Sequence, residues 1–285
     1  MARNGGVRLY RAERAEKRAR SKAARPKACK LAVRRCLRLV VAAKLRRRWS
    51  PQQIAAWLKL QHPEDMTMQV SHETIYRSLF IQTRGVLKAE LVEFLRSQRR
   101  TRRPRVKGGK VEKRGRIVDA VSIRERPAEV EDRAIPGHWE GDLLVGTHGS
   151  YIATLVERSS RFVLLVKVPD KSSGGVVAAL IKQARKLPDE LKRSLTWDRG
   201  HEMGNHKQFT LATDMKVFFC DPRSPWQRGS NENTNGLLRQ YFPKSESVSH
   251  YTQADLNRIA RELNERPRKT LEFRTPAEKL AALLQ

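Results

Sequence analysis

The octapeptide His138-Trp139-Glu140-Gly141-Asp142-Leu143-Leu144-Val145 sets the architecture of the larger part of the chain. It reads as a strand, with an acidic residue, Asp142, in the middle where a half-buried strand is ordinarily apolar or neutral. Tyr151 to Val156 and Arg161 to Val168 follow as two more strands after Gly-Ser and Arg-Ser turns, which gives a three-stranded meander. Val176 to Lys186 then takes helical spacing, Leu195 to Trp197 and Lys216 to Cys220 are short strands, and helices are expected at Trp226 to Tyr241 and Gln253 to Asn264. Three antiparallel strands, then helix, strand, helix, strand, helix, is the element order of an α/β, ribonuclease H-like domain with a mixed sheet. That domain is placed over residues 117–285.

What precedes it differs in kind. Residues 1–116 hold 33 Lys and Arg against 8 Asp and Glu and so carry +25 of the formal charge of +29, whereas the other 169 residues hold 26 against 22. Such a basic half binds a polyanion, and nucleic acid is the expected one, with an anionic membrane surface the weaker rival. Residues 1–30, rich in Arg, Lys and Ala without apolar patterning, read as a flexible basic leader. Residues 96–116 read as a basic linker with Pro104, Gly108 and Gly109, suited to tracking a phosphate backbone. The three Cys, at 29, 36 and 220, have no CxxC pair and no His at zinc-finger spacing, so neither a structural zinc nor a disulfide framework is expected. No apolar run follows the basic start, and a reduced, soluble, cytoplasmic, nucleoid-associated protein is the expectation.

Residues 31–95 read as a helical unit. Leu31, Val33, Leu37, Val40, Val41 and Leu45 fall on one helical face. Ser50-Pro51-Gln52-Gln53 has the form of a capping box with Pro at the first helical position, and Trp49 and Ile54 are placed as a hydrophobic staple for a second helix to about Leu60. Ser71 and the Val70/Ile75 pair repeat that grammar for a third helix to about Phe80. The order fits a helix-turn-helix whose third helix would present His72, Thr74 and Arg77 to DNA in the major groove, although the connector Gln61 to Gln69 exceeds the usual three or four residues. A plain three-helix bundle is the alternative.

Cleavage of a phosphodiester places charge on both the attacking and the leaving oxygen, and two Mg²⁺ ions offset both. Because Mg²⁺ prefers hard oxygen ligands, clustered carboxylates are the residues to seek. Asp142 is one candidate, and Asp198, which ends Leu195-Thr196-Trp197-Asp198, is another. Glu232 is the third, in an Asn- and Gly-rich stretch, Ser230-Asn231-Glu232-Asn233-Thr234-Asn235-Gly236, that is ill suited to packing alone. Glu140 shares a strand face with Asp142 and is a supporting group or an alternative ligand. His201 and His206 follow Asp198 closely and can be placed near a scissile phosphate or, more simply, at the surface.

His138 to Leu143, Thr196-Trp197-Asp198-Arg199-Gly200, and Ser224 through Phe242-Pro243-Lys244 together resemble the three catalytic blocks of the DDE transposases of bacterial insertion sequences, in particular the group named after insertion sequence thirty. The separations, 55 residues between Asp142 and Asp198 and 33 between Asp198 and Glu232, are similar to that family's. The resemblance covers residues 138–285 strongly and the helical region more weakly. It implies a ribonuclease H-like fold and a catalytic, metal-holding triad of Asp142, Asp198 and Glu232. It also implies two Mg²⁺ ions for which Mn²⁺ can substitute, and double-stranded DNA, as element inverted repeats and target, for a partner. Arg228, Asn231 and Arg239 are placed by the same likeness against DNA, and a homodimer or higher oligomer on DNA is implied. Members of the family begin with a further helix-turn-helix, and this chain opens at Arg3-Asn4-Gly5-Gly6, similar to the residues that follow it. An N-terminally shortened chain with weakened repeat recognition is therefore expected. The rival from another class is a catalytically silent DNA-binding regulator. A tyrosine recombinase using Tyr241 lacks the Arg and His constellation that chemistry requires.

Overall fold

The computed structural model describes residues 10–24, 29–80, 87, 89–96, 117, 119–132, 134–222 and 224–285. Apart from Arg96, the basic linker expected at 96–116 lies outside them. Within the leader, α1 (Ala12–Ala24) is helical where no element was expected. Five alanines and an i,i+4 pair, Glu16 with Arg20 at 2.6 Å, supply enough intrinsic propensity for it.

The first helix expected in the 31–95 unit is divided into α2 (Lys30–Val33) and α3 (Arg35–Arg46) by an extended Arg34. α4 (Pro51–Gln61) starts as its sequence dictates: Ser50 Oγ accepts from the Gln53 amide at 3.2 Å, and Gln53 Oε1 accepts from the Ser50 amide at 2.8 Å. Trp49 and Ile54, the staple, are both buried. At α5 (His72–Phe80), Ser71 Oγ accepts from Thr74 N at 3.2 Å, and Val70 and Ile75 are again buried. The long connector is pinned, since Gln69 Nε2 donates to His62 O at 2.7 Å and Lys30 Nζ donates to Gln69 O at 2.5 Å. With a 3-10 turn at Ala89–Phe94, these helices close over a core that includes Leu31, Leu37, Val41, Trp49, Ile54 and Leu91.

A short α6 (Glu129–Asp132) leads into the sheet. Its strands are β1 (His138–Val145), β2 (Tyr151–Glu157), β3 (Val163–Lys167), β4 (Ser194–Trp197) and β5 (Lys216–Phe219), in the order β3-β2-β1-β4-β5. The first three form the expected antiparallel meander, and β4 and β5 join parallel. Helices α7 (Ser173–Ala184), α8 (His206–Thr213), α9 (Gly229–Leu238), α10 (Gln253–Asn264) and α11 (Pro276–Leu283) complete the domain. The helix expected from Trp226 to Tyr241 is shorter, because Pro225–Arg228 forms a 3-10 turn and α9 begins only at Gly229.

Alternation along β1 sorts its side chains onto two cores. Trp139 joins Leu195, Trp197, Val176, Leu180 and Phe209 on the α7/α8 face. Leu144 joins Ile152, Val156, Leu238, Leu256 and Ile259 on the α9/α10 face. Asn264 of α10 covers the edge strand β3 by accepting from Val163 N at 2.8 Å and donating to Val163 O at 2.9 Å, so that this edge does not template further strands. Among the described residues, no helix is long and apolar enough to cross a membrane.

His138 locks β1 to β4, its Nδ1 lying 2.7 Å from Ser194 Oγ. Burial pushes its pKa down from 6.5 to about 4. Between those values the unfolded chain takes up a proton that the fold refuses, so His138's contribution is complete above pH 6.5 and is lost as pH falls towards 4. The loss amounts to about 3 kcal/mol. Urea titrations at pH 7 and pH 4 should show this loss in the native chain and a correspondingly smaller one in His138→Gln.

Candidate active site

β1 and β4 pair only from His138 with Ser194 to Glu140 with Thr196, and then part. Continued in that register, Gly141 falls beside Trp197 and Asp142 beside Asp198. The period of two keeps both aspartates on the face they share with Glu140 and Thr196. The ends of parallel strands are where open α/β sheets bind their ligands, and both aspartates lie there. A Cβ on Gly141 would come within 2.2 Å of the Trp197 ring, so the indole lies directly against the strand backbone. Gly141→Ala is therefore expected to cost about 1–3 kcal/mol through overpacking. Because the clashing residues immediately precede Asp142 and Asp198, DNA nicking should fall by more than thermal stability does, a difference that a melting curve and a nicking assay on one preparation will show.

Arg228 fills the opening between the parted strands. Its Nη1 donates to Gly141 O at 2.8 Å and lies 3.3 Å from Asp142 Oδ1, while its Nη2 lies 3.4 Å from Asp198 Oδ2. Burial pushes the Asp142 carboxyl above its ordinary value, the charge of Asp198 adds to that, and Arg228 opposes it. Burial works against the Arg228 cation, yet the charges of Asp142 and Asp198 outweigh it and raise the Arg228 pKa. One guanidinium thus serves two carboxylates that address the same point.

α9 is laid across this face by a buried polar lock. Glu140 is fully buried and ion-paired with Arg158 Nη1 at 2.6 Å, and its other oxygen accepts from Asn231 N at 3.0 Å. Asn231 Nδ2 donates to Glu140 O at 3.3 Å, and Asn231 Oδ1 accepts from Thr154 Oγ1 at 3.0 Å. Of the two roles expected for Glu140, its enclosure among these partners fits that of a supporting group, and Asn231, expected against DNA, is 0% exposed and holds the helix to the sheet.

From α9, Asn235 Nδ2 donates to Asp142 Oδ2 at 2.9 Å. Glu232 is exposed on the same helix and, with Asp142, Arg239 and Lys244, lines a cleft of about 480 Å³. Arg239 is braced there by donating to Val145 O at 3.1 Å. Asp142 and Asp198 are therefore joined through Arg228, and Asp142 and Glu232 through the cleft. Among the described residues, no three His, Cys, Asp or Glu are grouped closely enough to hold one metal ion together. The donor set nonetheless suits a hard cation, since two carboxylates already share one positive charge and a third lines the same cleft. His201 is exposed, whereas His206 is buried edge-on against Phe219 at 5.1 Å and belongs to the core. On α5, His72 and Arg77 are exposed and Thr74 is half-buried, its Oγ1 2.9 Å from Ser71 Oγ.

The integrase core domain family matches residues 132–225, which span the sheet, Asp142 and Asp198. Over 281 residues the chain is 48% identical to the transposase InsI for insertion sequence element IS30A of Escherichia coli (strain K12), covering 97% of this chain and 72% of that protein. The chain belongs to the IS30 family of transposases. It is also 48% identical over 266 residues to the transposase for insertion sequence element IS1086 of Cupriavidus metallidurans, covering 93% of this chain and 78% of that protein. With the transposase for IS4351 of Bacteroides fragilis the identity is 36% over 241 residues, 84% of this chain and 71% of that protein. The mixed sheet of this IS30-family transposase, with helices on both faces, is that of an integrase core, the expected ribonuclease H-like architecture.

The Arg228 bridge and the Arg158–Glu140 pair were not legible in the sequence. Each pairs residues many positions apart, and nothing local marks an Arg as the partner of a distant acid.

Proposed function

We propose that Asp142, Asp198 and Glu232 form the cation-holding centre with which this transposase cuts DNA at the ends of its insertion element and joins the freed ends to target DNA. Transposases with this core act on DNA with divalent metal ions. The observation that carries the assignment is the convergence of Asp142 and Asp198 on the single guanidinium of Arg228. Two Mg²⁺ ions, or Mn²⁺ in their place, would there offset the charge gathering on the attacking and leaving oxygens.

The chain's own groups divide the remaining work. Asp142 and Asp198 present carboxylate oxygens at one point, and Asn235 fixes the rotamer of Asp142 through its 2.9 Å donation. Arg228 holds the two aspartates at one point, and if a cation took its place there its guanidinium would be available to a phosphate. Glu232, which lines the same cleft as Asp142, would complete the set of carboxylates that hold the cation. Arg239 and Lys244 give the cleft the positive lining that a DNA strand requires. The exposed His72 and Arg77 of α5, with Thr74, face element DNA, the basic leader and the 96–116 linker add charge along the backbone, and two copies act together on paired ends. In a strand-transfer assay with the full chain, Mg²⁺ and a duplex carrying the element end, the expected products are a nick that leaves a 3′-hydroxyl and a joined target strand. Tight DNA binding without nicks in either Mg²⁺ or Mn²⁺ would overturn the proposal.

A further inference from the structure

α9 has a second polar side. Its Glu232, Asn235, Gly236 and Arg239 face the cleft already described, whereas Ser230, Asn233, Thr234 and Leu237 face a separate chamber of about 250 Å³. Arg161, Arg268 and Thr270 form the opposite walls of that chamber, and its lining contains no carboxylate. Arg161 stands at the β2–β3 turn with a positive φ of 62° and donates to Ser230 Oγ; Arg268 follows α10 and donates to Leu263 O at 3.2 Å. Both guanidiniums are thus anchored by hydrogen bonds to the chain. Consistent with a concentration of positive charge, burial and then the neighbouring charges of Arg266, Arg161 and Arg96 bring the Arg268 pKa down to about 9 against the opposing pull of Tyr241. A second chamber of about 450 Å³ shares Arg161 and Thr270 and continues past Arg158, Arg274 and Lys279, with Glu272 its one acidic member.

We propose that these joined chambers seat the phosphodiester backbone of a DNA strand, with Arg161 and Arg268 on one phosphate and Arg274 and Lys279 on a further one. Two guanidiniums, three hydroxyls and an amide suit a tetrahedral oxyanion. Their continuation into a second basic chamber suits a polymer of phosphates better than a single free one. The chamber lies across α9 from the cleft that Glu232 lines, so the seated phosphate is a different one from the linkage that is cut. This inference rests on the assignment of Asp142, Asp198 and Glu232 as the cleaving centre.

The test uses the full chain and fluorescence anisotropy with a labelled duplex over a series of NaCl concentrations. Arg161→Gln/Arg268→Gln is expected to lower the slope of log affinity against log salt by about 0.9, the value for one phosphate no longer neutralised. Thr270→Glu guards against misfolding, since Thr270 is exposed and its replacement leaves the core untouched; it should weaken binding about tenfold with the melting temperature unchanged. With single methylphosphonate linkages placed in turn along the strand beside the cut, one position should weaken binding by the native chain and leave the double variant unaffected. An unchanged salt slope, or losses from the variant and the neutral linkage that simply add, would overturn the chamber's role. Asp142→Asn run alongside separates the two claims: if it abolishes nicking while the chamber variants bind normally, only the chamber fails, and if it nicks normally, the cleaving centre fails.

Discussion

Replacing Asp142 with Asn is expected to lower Mg²⁺-dependent nicking by at least about 10³-fold, on the order of 4 kcal/mol of transition-state stabilisation, while DNA affinity is kept or increased. The amide retains the shape of the carboxylate: its oxygen can still accept from Arg228, and its NH2 can donate to Asn235 Oδ1 once that side-chain amide turns over, so the fold has little reason to change. What disappears is the negative oxygen that faces Asp198 across the parted strands, and with it half of the charge that Arg228 now balances. Removing that charge also relieves repulsion of a phosphate backbone near the cleft. A gel assay of nicking beside an anisotropy titration separates the two effects, and a nicking rate within tenfold of the native chain would remove Asp142 from the chemistry.

The second large effect concerns stability. Arg158→Met leaves the Glu140 carboxylate fully enclosed without its cation, and stranding a buried charge in this way costs about 3–5 kcal/mol. For a domain of this size that corresponds to a fall of about 10 °C in melting temperature. Arg158→Met/Glu140→Gln should recover a large part of the loss, because the glutamine oxygen still accepts from Asn231 N and no charge is left unpaired. Scanning calorimetry of the single and double variants gives the comparison. A double variant no more stable than Arg158→Met would show that the carboxylate is not the source of the cost.

The sheet was legible because its alternation is regular. His138–Val145 and Gln253–Asn264 have the bounds the sequence indicates, and both caps of the N-terminal helices are written in Ser50, Gln53 and Ser71. Where local chemistry is weak, boundaries moved: Pro225 and Gly229 turn the start of an expected long helix into a 3-10 turn, and an extended Arg34 splits another. Asp142, Asp198 and Glu232 stood out as acids in unlikely settings. Asn231 did not reveal its role, because a polar side chain in an Asn-rich stretch looks the same in sequence whether it meets DNA or, as here, the buried carboxylate of Glu140. Arg228 is placed against DNA by the family likeness alone, and its contact with two aspartates could not be read because only the parallel pairing of β1 and β4 brings them within its reach.

A cation-holding centre built from three carboxylates underlies the chemistry proposed for this transposase. Crystals of the full chain soaked in Mn²⁺ and measured at the manganese absorption edge test it most directly. The anomalous peak is predicted between Asp142 and Asp198, with Glu232 drawn in and Arg228 displaced. A peak elsewhere, or none at these aspartates at Mn²⁺ concentrations that support nicking, would contradict it.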